Sequence, residues 1–320
     1  MSCGSCLSDY PEHNLFPDQI ERNDMQELIL QINDLYYSYP NRQYALSGVS
    51  ANIYQGEKIA VLGSNGAGKS TFFLNLNGVL QAHGGEIIYR GCVINKKNIV
   101  ELRKNVGIVF QDADNQIVAS TVRAEVGFGP MNLKLSEDEV ITRVNEALEY
   151  MNLSEYIDRP PHYLSGGEKK RVSIADIIAM KSEVIIFDEP MAALDPLNAQ
   201  MLEDVLAKLQ SENKTLIIST HDVDFAYRWA DRLIVFSEGN IIADGAPLEI
   251  FAQNEILKRA NLKKPMLLEI CELLRTHHML HENELTPRNI AELRTVIESG
   301  HSKNKTAAHE SKEETIGIMT

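Results

Sequence analysis

The chain has 320 residues, enough for one large domain or two ordinary ones, and its 44% hydrophobic and 24% charged residues suit a globular protein. A formal net charge of −14 argues against a general nucleic-acid binder, which needs a basic face, and no apolar run approaches the ~18 residues that span a bilayer. Four cysteines are too few and too scattered for a disulfide framework.

The start, MSCGSCLSDYPEH, lacks a basic-then-apolar signal, so the chain is expected to stay in the cytoplasm, with any membrane role exerted through a partner. Residues 1–24 are polar, proline-punctuated and aperiodic, as in a flexible extension. The CxxC of Cys3 and Cys6, with His13 nearby, offers too few ligands for a metal site. Strand-like alternation begins in MQELILQINDLYYSYP. GEKIAVLG (56–63) is a short strand ending in glycine, and SNGAGKSTFFLNLNGVL after it has helical spacing. VGIVFQ (106–111), EVIIFDEP (183–190) and TLIISTH (215–221) are further buried strands, so strands alternate with helices and a largely parallel sheet covered on both faces is expected.

From about 112 the texture turns helical. SEDEVITRVNEALEYMNL opens with a capping box, Ser136 and Glu139, and puts Val140, Val144, Ala147, Leu148 and Met151 on one face. RLIVFSEGNIIADG has the form of a hairpin turning at Glu238, Gly239 and Asn240. Beyond 246, Leu267, Ile270, Cys271 and Leu274 make an apolar helical stripe. A second helix is expected from Thr286, with Pro287 in its first turn. Cys92 and Cys271 have apolar neighbours and are expected to be buried. The last twenty residues are polar, as in a disordered tail.

Three stretches carry chemistry. Gly63, Ser64, Asn65, Gly66, Ala67, Gly68, Lys69 and Ser70 match the P-loop pattern, between a strand and a helix as the motif requires. Gly66 and Gly68 let backbone amides close on phosphate oxygens at a helix N-terminus; Lys69 reaches the β- and γ-phosphates and the Ser70 hydroxyl ligates Mg²⁺. Val184 to Phe187 run apolar into Asp188 and Glu189, which places two acids at a strand tip: Asp188 for the Mg²⁺ shell, Glu189 as general base for water. LSGGE, Leu164 to Glu168, sets Ser165, Gly166 and Gly167 at a second helix start, again an anion site by geometry.

GSNGAGKST, VFQ, LSGGEKKRV, IIFDEP, ALDP and STHD occur in one order, and over about residues 28–245 the chain resembles the ATP-binding subunits of ABC transporters. The resemblance implies an α/β P-loop NTPase core with a mixed β-sheet (25–245), a helical subdomain inserted at about 112–180, a C-terminal helical extension (246–300) that holds a dimer together, and a tail (301–320). It implies ATP and Mg²⁺ as ligands. Two copies would pack head to tail, so that Ser165, Gly166, Gly167 and Glu168 of one cover the γ-phosphate held by the other, with Asp195 reaching across. Gln111 would sense the γ-phosphate and Mg²⁺, alongside Ser70 and Asp188, and contact the membrane partner. His221 would hold the γ-phosphate and the base. Tyr39 would stack on adenine, with Tyr36 and Tyr37 competing for that place, and Thr71 completes the nucleotide loop.

VGIVFQDADNQIVASTVRAEVGFGPMNL is similar to the corresponding region of energy-coupling-factor ATPases, which work with a transmembrane coupling subunit and a substrate-binding membrane subunit. Ala226 to Asp231 resemble the cobalt/nickel branch. The implied partners are a second ATPase subunit, identical or a sister, and those membrane subunits, at the cytoplasmic face; no nucleic acid is expected. A vitamin cargo, a soluble ABC protein of translation or DNA repair, and a regulatory module without turnover are the alternatives. The departures are Glu168 for the usual glutamine, Met191, Ala193, and Asp176 on an apolar helix, where a buried acid needs a partner. His277, His278 and His281 are expected to be bystanders, since cargo passes through the membrane subunits.

Overall fold

The computed structural model describes residues 27–40, 44–192, 194–280 and 286–298. The CxxC of Cys3 and Cys6, His13, Ala193, His281 and the residues after 298 lie outside them.

In chain order, β1 (Leu28–Ser38) and β2 (Tyr44–Tyr54) lead into β3 (Lys58–Leu62), the glycine-rich loop and α1 (Lys69–Leu76). Then come β4 (Gly84–Tyr89), β5 (Cys92–Val93), α2 (Ile99–Asn105) and β6 (Val106–Val109). Three helices follow before the next strand: α3 (Val122–Asn132), α4 (Glu137–Tyr150) and α5 (Gly166–Met180). The chain continues through β7 (Val184–Asp188), α6 (Pro196–Ser211), β8 (Thr215–Ser219), α7 (Val223–Trp229), β9 (Arg232–Ser237) and β10 (Asn240–Gly245). It ends in α8 (Pro247–Phe251), α9 (Asn254–Ala260), α10 (Met266–Thr276) and a helical stretch at 290–298.

Two sheets result. The larger has the order β10-β9-β3-β8-β7-β6, with β9, β3, β8, β7 and β6 mutually parallel and β10 added antiparallel by the hairpin. The hairpin turns where expected, with Glu238 and Gly239 both at positive φ (50° and 77°), as a two-residue turn matching strand twist requires. The second sheet, β2-β1-β4-β5, is antiparallel.

Alternation along the parallel strands divides the core. In β7, Val184 and Ile186 pack with β1, β2 and α1, whereas Ile185 and Phe187 pack with α3, α4, α5 and α6. In β3, Ala60 and Leu62 join a third cluster beneath α7 to α10, which includes Leu267 and Cys271 of the expected stripe, with Ile270 and Leu274 packed against it. Each such Ile, Leu or Phe contributes about 1.5–3 kcal/mol, so the sheet is fixed from both faces and its strand ends are held as a rigid edge.

Three expectations change. Cys92 is exposed, because the two-residue strand β5 lies at the edge of the antiparallel sheet. The last helical stretch begins at 290, not Thr286: Asn289 Oδ1 accepts the Glu292 N–H, while Thr286 Oγ1 is taken by Arg275 and the Pro287 carbonyl by the Tyr227 hydroxyl. The capping box of α4 is half made; Ser136 accepts from the Glu139 N–H, but the Glu139 carboxylate turns to Arg143 at 2.7 Å. Asp176 does have a partner, the Gln116 amide at 3.4 Å.

Burial pushes the Asp176 carboxyl up to about 7, the Gln116 bond opposing this and the Glu125 charge adding to it. A carboxyl whose folded pKa lies above its unfolded value of ~3.9 weakens the fold as pH rises between the two, and the penalty is complete above the folded value. Asp176→Asn should therefore raise the melting temperature more at about pH 8 than at about pH 5. Thermal unfolding of the pair at both pH values checks this; an equal or reversed difference contradicts the buried, reluctant acid.

Candidate functional site

The parallel strands deliver their C-terminal ends side by side, and the residues singled out from the sequence arrive with them. The loop 63–68 leaves β3, Thr220 and His221 leave β8, Asp188 and Glu189 end β7, and Gln111 follows β6. The crevice at the carboxyl ends of parallel strands is where α/β sheets bind ligands.

The loop closes tightly. Gly68 has φ 109°, and a Cβ there would sit 2.6 Å from the Ala45 carbonyl oxygen. Gly63 is equally confined, with the Phe236 carbonyl oxygen 2.4 Å from a built Cβ. The hairpin turn braces the loop from outside, since Gly239 donates its N–H to Ala67 O (2.9 Å) and accepts from Ser47 N (3.0 Å). Helix α1 starts at Gly68 with no side-chain cap and no acid in its first turn, so its N–H groups and dipole remain directed at the loop. Ser70 is exposed there, and Ser64, Asn65 and Gly66 form the outer lip.

Lys69 is 6% exposed, and its ammonium donates to Gly63 O (2.6 Å) and Ser64 O (3.2 Å). Burial pushes its pKa down, while the Glu189 and Asp188 carboxylates pull it back up. Asp188 accepts from Ser219 Oγ at 2.6 Å, and the same oxygen accepts the Glu189 N–H at 2.8 Å. Glu189 has φ 47°, a left-handed turn that aims its carboxylate away from the strand line. Its Oε1 lies 2.5 Å from His221 Nε2. Tyr39, half-buried, has its hydroxyl 3.3 Å from Thr71 Oγ1, placing it against the loop; Tyr37 meets its ring edge-on and stacks on His83, and Tyr36 pairs with Tyr44 on the surface. Of the three tyrosines, Tyr39 is the one hydrogen-bonded to the first turn of α1.

Ser70, Asp188 and Gln111 offer a hydroxyl, a carboxylate and an amide at adjoining strand ends, an all-oxygen donor set suited to Mg²⁺, which keeps several waters and takes one or two carboxylates. Gln111 is exposed, and its carbonyl accepts from Lys170 (3.0 Å). Ser219 is a side chain of this strand edge that sequence reasoning missed; the signal was its register opposite Asp188 across β7 and β8.

Ser165, Gly166, Gly167 and Glu168 stand elsewhere, at the exposed head of α5. Among the described residues no hydrogen bond or ion pair joins them to the loop of Lys69. Ser165 caps the helix by accepting the Glu168 N–H (3.3 Å), and Glu168 answers by accepting the Ser165 N–H (2.7 Å), which holds its carboxyl below the usual range. Asp195 caps α6 through the Asn198 N–H (2.9 Å), and the Asn198 amide in turn presses on Gly167, where a Cβ would come within 2.7 Å.

Comparison with known proteins places this arrangement. The ABC transporter family matches residues 46–192. The EcfA2 energy-coupling factor transporter ATP-binding protein of Methanospirillum hungatei JF-1 is 45% identical, over 86% of this chain and 69% of that protein. The EcfA counterpart of Methanothermobacter thermautotrophicus is 47% identical over 77% and 80%. Among solved structures, cbiO1 of Clostridium perfringens, part of the ABC transporter complex cbiONQ, is 41% identical with a TM-score of 0.65 and covers 78% of this chain and 99% of its own. A dimeric ATP-binding cassette, MJ0796, with ADP and Pi is 27% identical with a TM-score of 0.62, covering 68% and 99%.

Removing the Ser219 hydroxyl would free both Asp188 and the Glu189 backbone. Ser219→Ala is expected to cost about 1–3 kcal/mol of stability and to raise the Mg²⁺ concentration needed for half-maximal ATP turnover. Denaturant unfolding and a Mg²⁺ titration measure the two; an unchanged Mg²⁺ requirement would separate Ser219 from the metal acid.

Proposed function

The chain belongs to the ATP-binding proteins of energy-coupling factor transporters, within the ABC transporter ATPases, and on that premise we propose that it powers uptake of a transition metal ion, cobalt or nickel, through a separate membrane complex. ATP binding and hydrolysis are the family's activity, with Mg²⁺ as the usual partner ion. The observation that carries the reading is the meeting of Lys69, Asp188, Glu189 and His221 at one strand edge, with Glu189 and His221 in direct contact.

In this reading the N–H groups of 64–70 and the Lys69 ammonium hold the β- and γ-phosphates. Bound Mg²⁺ neutralises charge building on the phosphate oxygens. Glu189 takes the proton of the attacking water, and His221 keeps the carboxylate aimed at it. Tyr39 packs on the adenine ring. Ser165 closes on the γ-phosphate of a second copy, and Asp195 reaches across the same interface. ATP therefore serves as part of the contact between subunits, and hydrolysis releases it.

The exposed Val118, Phe128 and Met131 around α3 suit an apolar helix of the membrane partner, which keeps the subunit at the cytoplasmic face. Residues 246–300 serve as the dimer-holding region: Met266, Leu273 and Met279 are all more than half exposed on the outside of α10 and the turn after it. The metal cargo is supported by the likeness of Ala226 to Asp231 to the cobalt/nickel branch and of the chain to cbiO1. Reconstituted with its membrane subunits, the complex should accumulate radiolabelled Co²⁺ or Ni²⁺ in an ATP-dependent way; uptake of a vitamin instead would correct the cargo and leave the engine.

Two substitutions test the engine. Glu189→Gln should leave ATP-driven dimerisation intact while hydrolysis falls roughly 10²–10⁴-fold, read by size-exclusion and phosphate release; undiminished turnover would remove Glu189 from the base role. Leu273→Glu should weaken the nucleotide-free dimer in sedimentation without lowering ATP affinity. A dimer of unaltered strength would move the contact elsewhere.

A further inference from the structure

Helix α5 has an apolar side, with Val172, Ile174, Ala175 and Ala179 in the core. It also carries Lys169, Lys170, Ser173 and Asp176 at helical spacing, a polar stripe on a packed helix. That stripe meets the segment 110–116, which begins at the end of β6 and includes Gln111. Lys170 is 5% exposed, and its ammonium donates to Phe110 O (2.6 Å) and Gln111 O (3.0 Å). The Gln116 amide works in both directions: Oε1 accepts the Phe110 N–H (3.2 Å), while Nε2 donates to Ser173 O (3.0 Å) and Asp176 Oδ2 (3.4 Å). Flipping that amide would break every one of these bonds, so its orientation is settled by its partners. On the outer side Lys169 donates to Asp114 Oδ1 at 2.6 Å.

The cost of this arrangement argues for its purpose. No carboxylate lies in ion-pair contact with the Lys170 ammonium among the described residues; it is held by carbonyl oxygens, and burial pushes its pKa down to about 8 against the pull of Asp188 and Asp112. An apolar side chain would fill the same space with less penalty. What it could not do is hold the backbone of Phe110 and Gln111.

Resting on the ATPase reading above, we infer that Lys170 and Gln116 are positioning residues, which clamp the backbone carrying Gln111 onto α5 so that Gln111 and the Ser165 cap of the same helix shift as one body. Gln111 answers to the nucleotide of its own subunit and Ser165 to that of the partner. The clamp is thus the physical link by which one site's γ-phosphate sets the geometry offered to the other.

The test uses the full chain and a double-mutant design. Lys170→Met and Gln116→Leu are each made in the natural background and in Gln111→Ala, and turnover at saturating MgATP is compared with the affinity for a fluorescent ATP analogue. Each should lower kcat about tenfold, with affinity within about twofold, and should add nothing once Gln111 is alanine. Lys170→Arg should recover most of the loss. Losses that multiply in the Gln111→Ala background, or affinity falling in step with kcat, would overturn the clamp. If a variant does not fold, the unsubstituted chain still decides by hydrogen exchange: on adding ATP, amides at 110–116 and at 166–170 should gain protection with the same ATP dependence, and a response confined to 110–116 refutes the idea. Absent turnover in the unsubstituted chain is a separate failure, of the ATPase reading, and the exchange result stands apart from it.

Discussion

A buried ammonium at the edge of the parallel sheet is the constraint on which the rest turns. Lys69 is enclosed by its own loop, and its nearest acceptors are two backbone carbonyls rather than a carboxylate. A charge removed from water needs compensation of this kind. The neighbouring acids reach it through the field, not by contact, because Asp188 is tied to Ser219 and Glu189 to His221. Helix α1 adds the positive end of its dipole and no acidic residue to offset it. The edge therefore combines a positive loop held by carbonyls with a nearby pair of acids, a charge pattern that a phosphate chain with a divalent cation complements.

The two glycine-rich helix starts differ in what they leave available. At Gly68 nothing caps α1, so several N–H groups point into the loop together. At Ser165 the capping box already satisfies the Glu168 N–H and returns the Glu168 carboxylate to the Ser165 N–H. The second start offers the N–H groups of Gly166 and Gly167, while Ser165 and Glu168 are engaged with each other. It suits the covering of an anion presented from another surface. That asymmetry separates an uncapped loop suited to enclosing an anion from a helix start whose cap is already occupied.

Much of the strand edge was legible because a P-loop demands a strand before it and a helix after it, and because four apolar residues running into two acids can hardly be anything but a buried strand reaching its tip. The antiparallel sheet was less legible. In β2 the alternation of Leu46, Val49, Ala51 and Ile53 is interrupted by Gly48 and by register shifts against β1, so no clean period of two survives. Ser219 was hidden for another reason: its role depends on cross-strand register with Asp188, which no local pattern encodes. Thr286 and Pro287 carried good helix-start chemistry, yet Arg275 and Tyr227 use those groups for packing, and Asn289 takes the cap. Tertiary contacts reassigned residues whose local signals were sound.

Asp176 shows the same principle from the opposite direction. On an apolar helix it breaks the local pattern, and by itself it would only weaken the protein, as its raised pKa indicates. Its partner Gln116 lies sixty residues earlier in sequence, and that residue's other end holds the Phe110 N–H beside Gln111. The acid, the amide and the buried Lys170 thus form one polar seam between the strand edge and the helical insertion, in a place where hydrophobic packing alone would permit sliding. Apolar contacts are non-directional, so they can press α5 against β6 without fixing which residue faces which. Hydrogen bonds to particular carbonyls and N–H groups do fix it. That registry, more than the last increment of stability, is what the seam adds to the packing of α5.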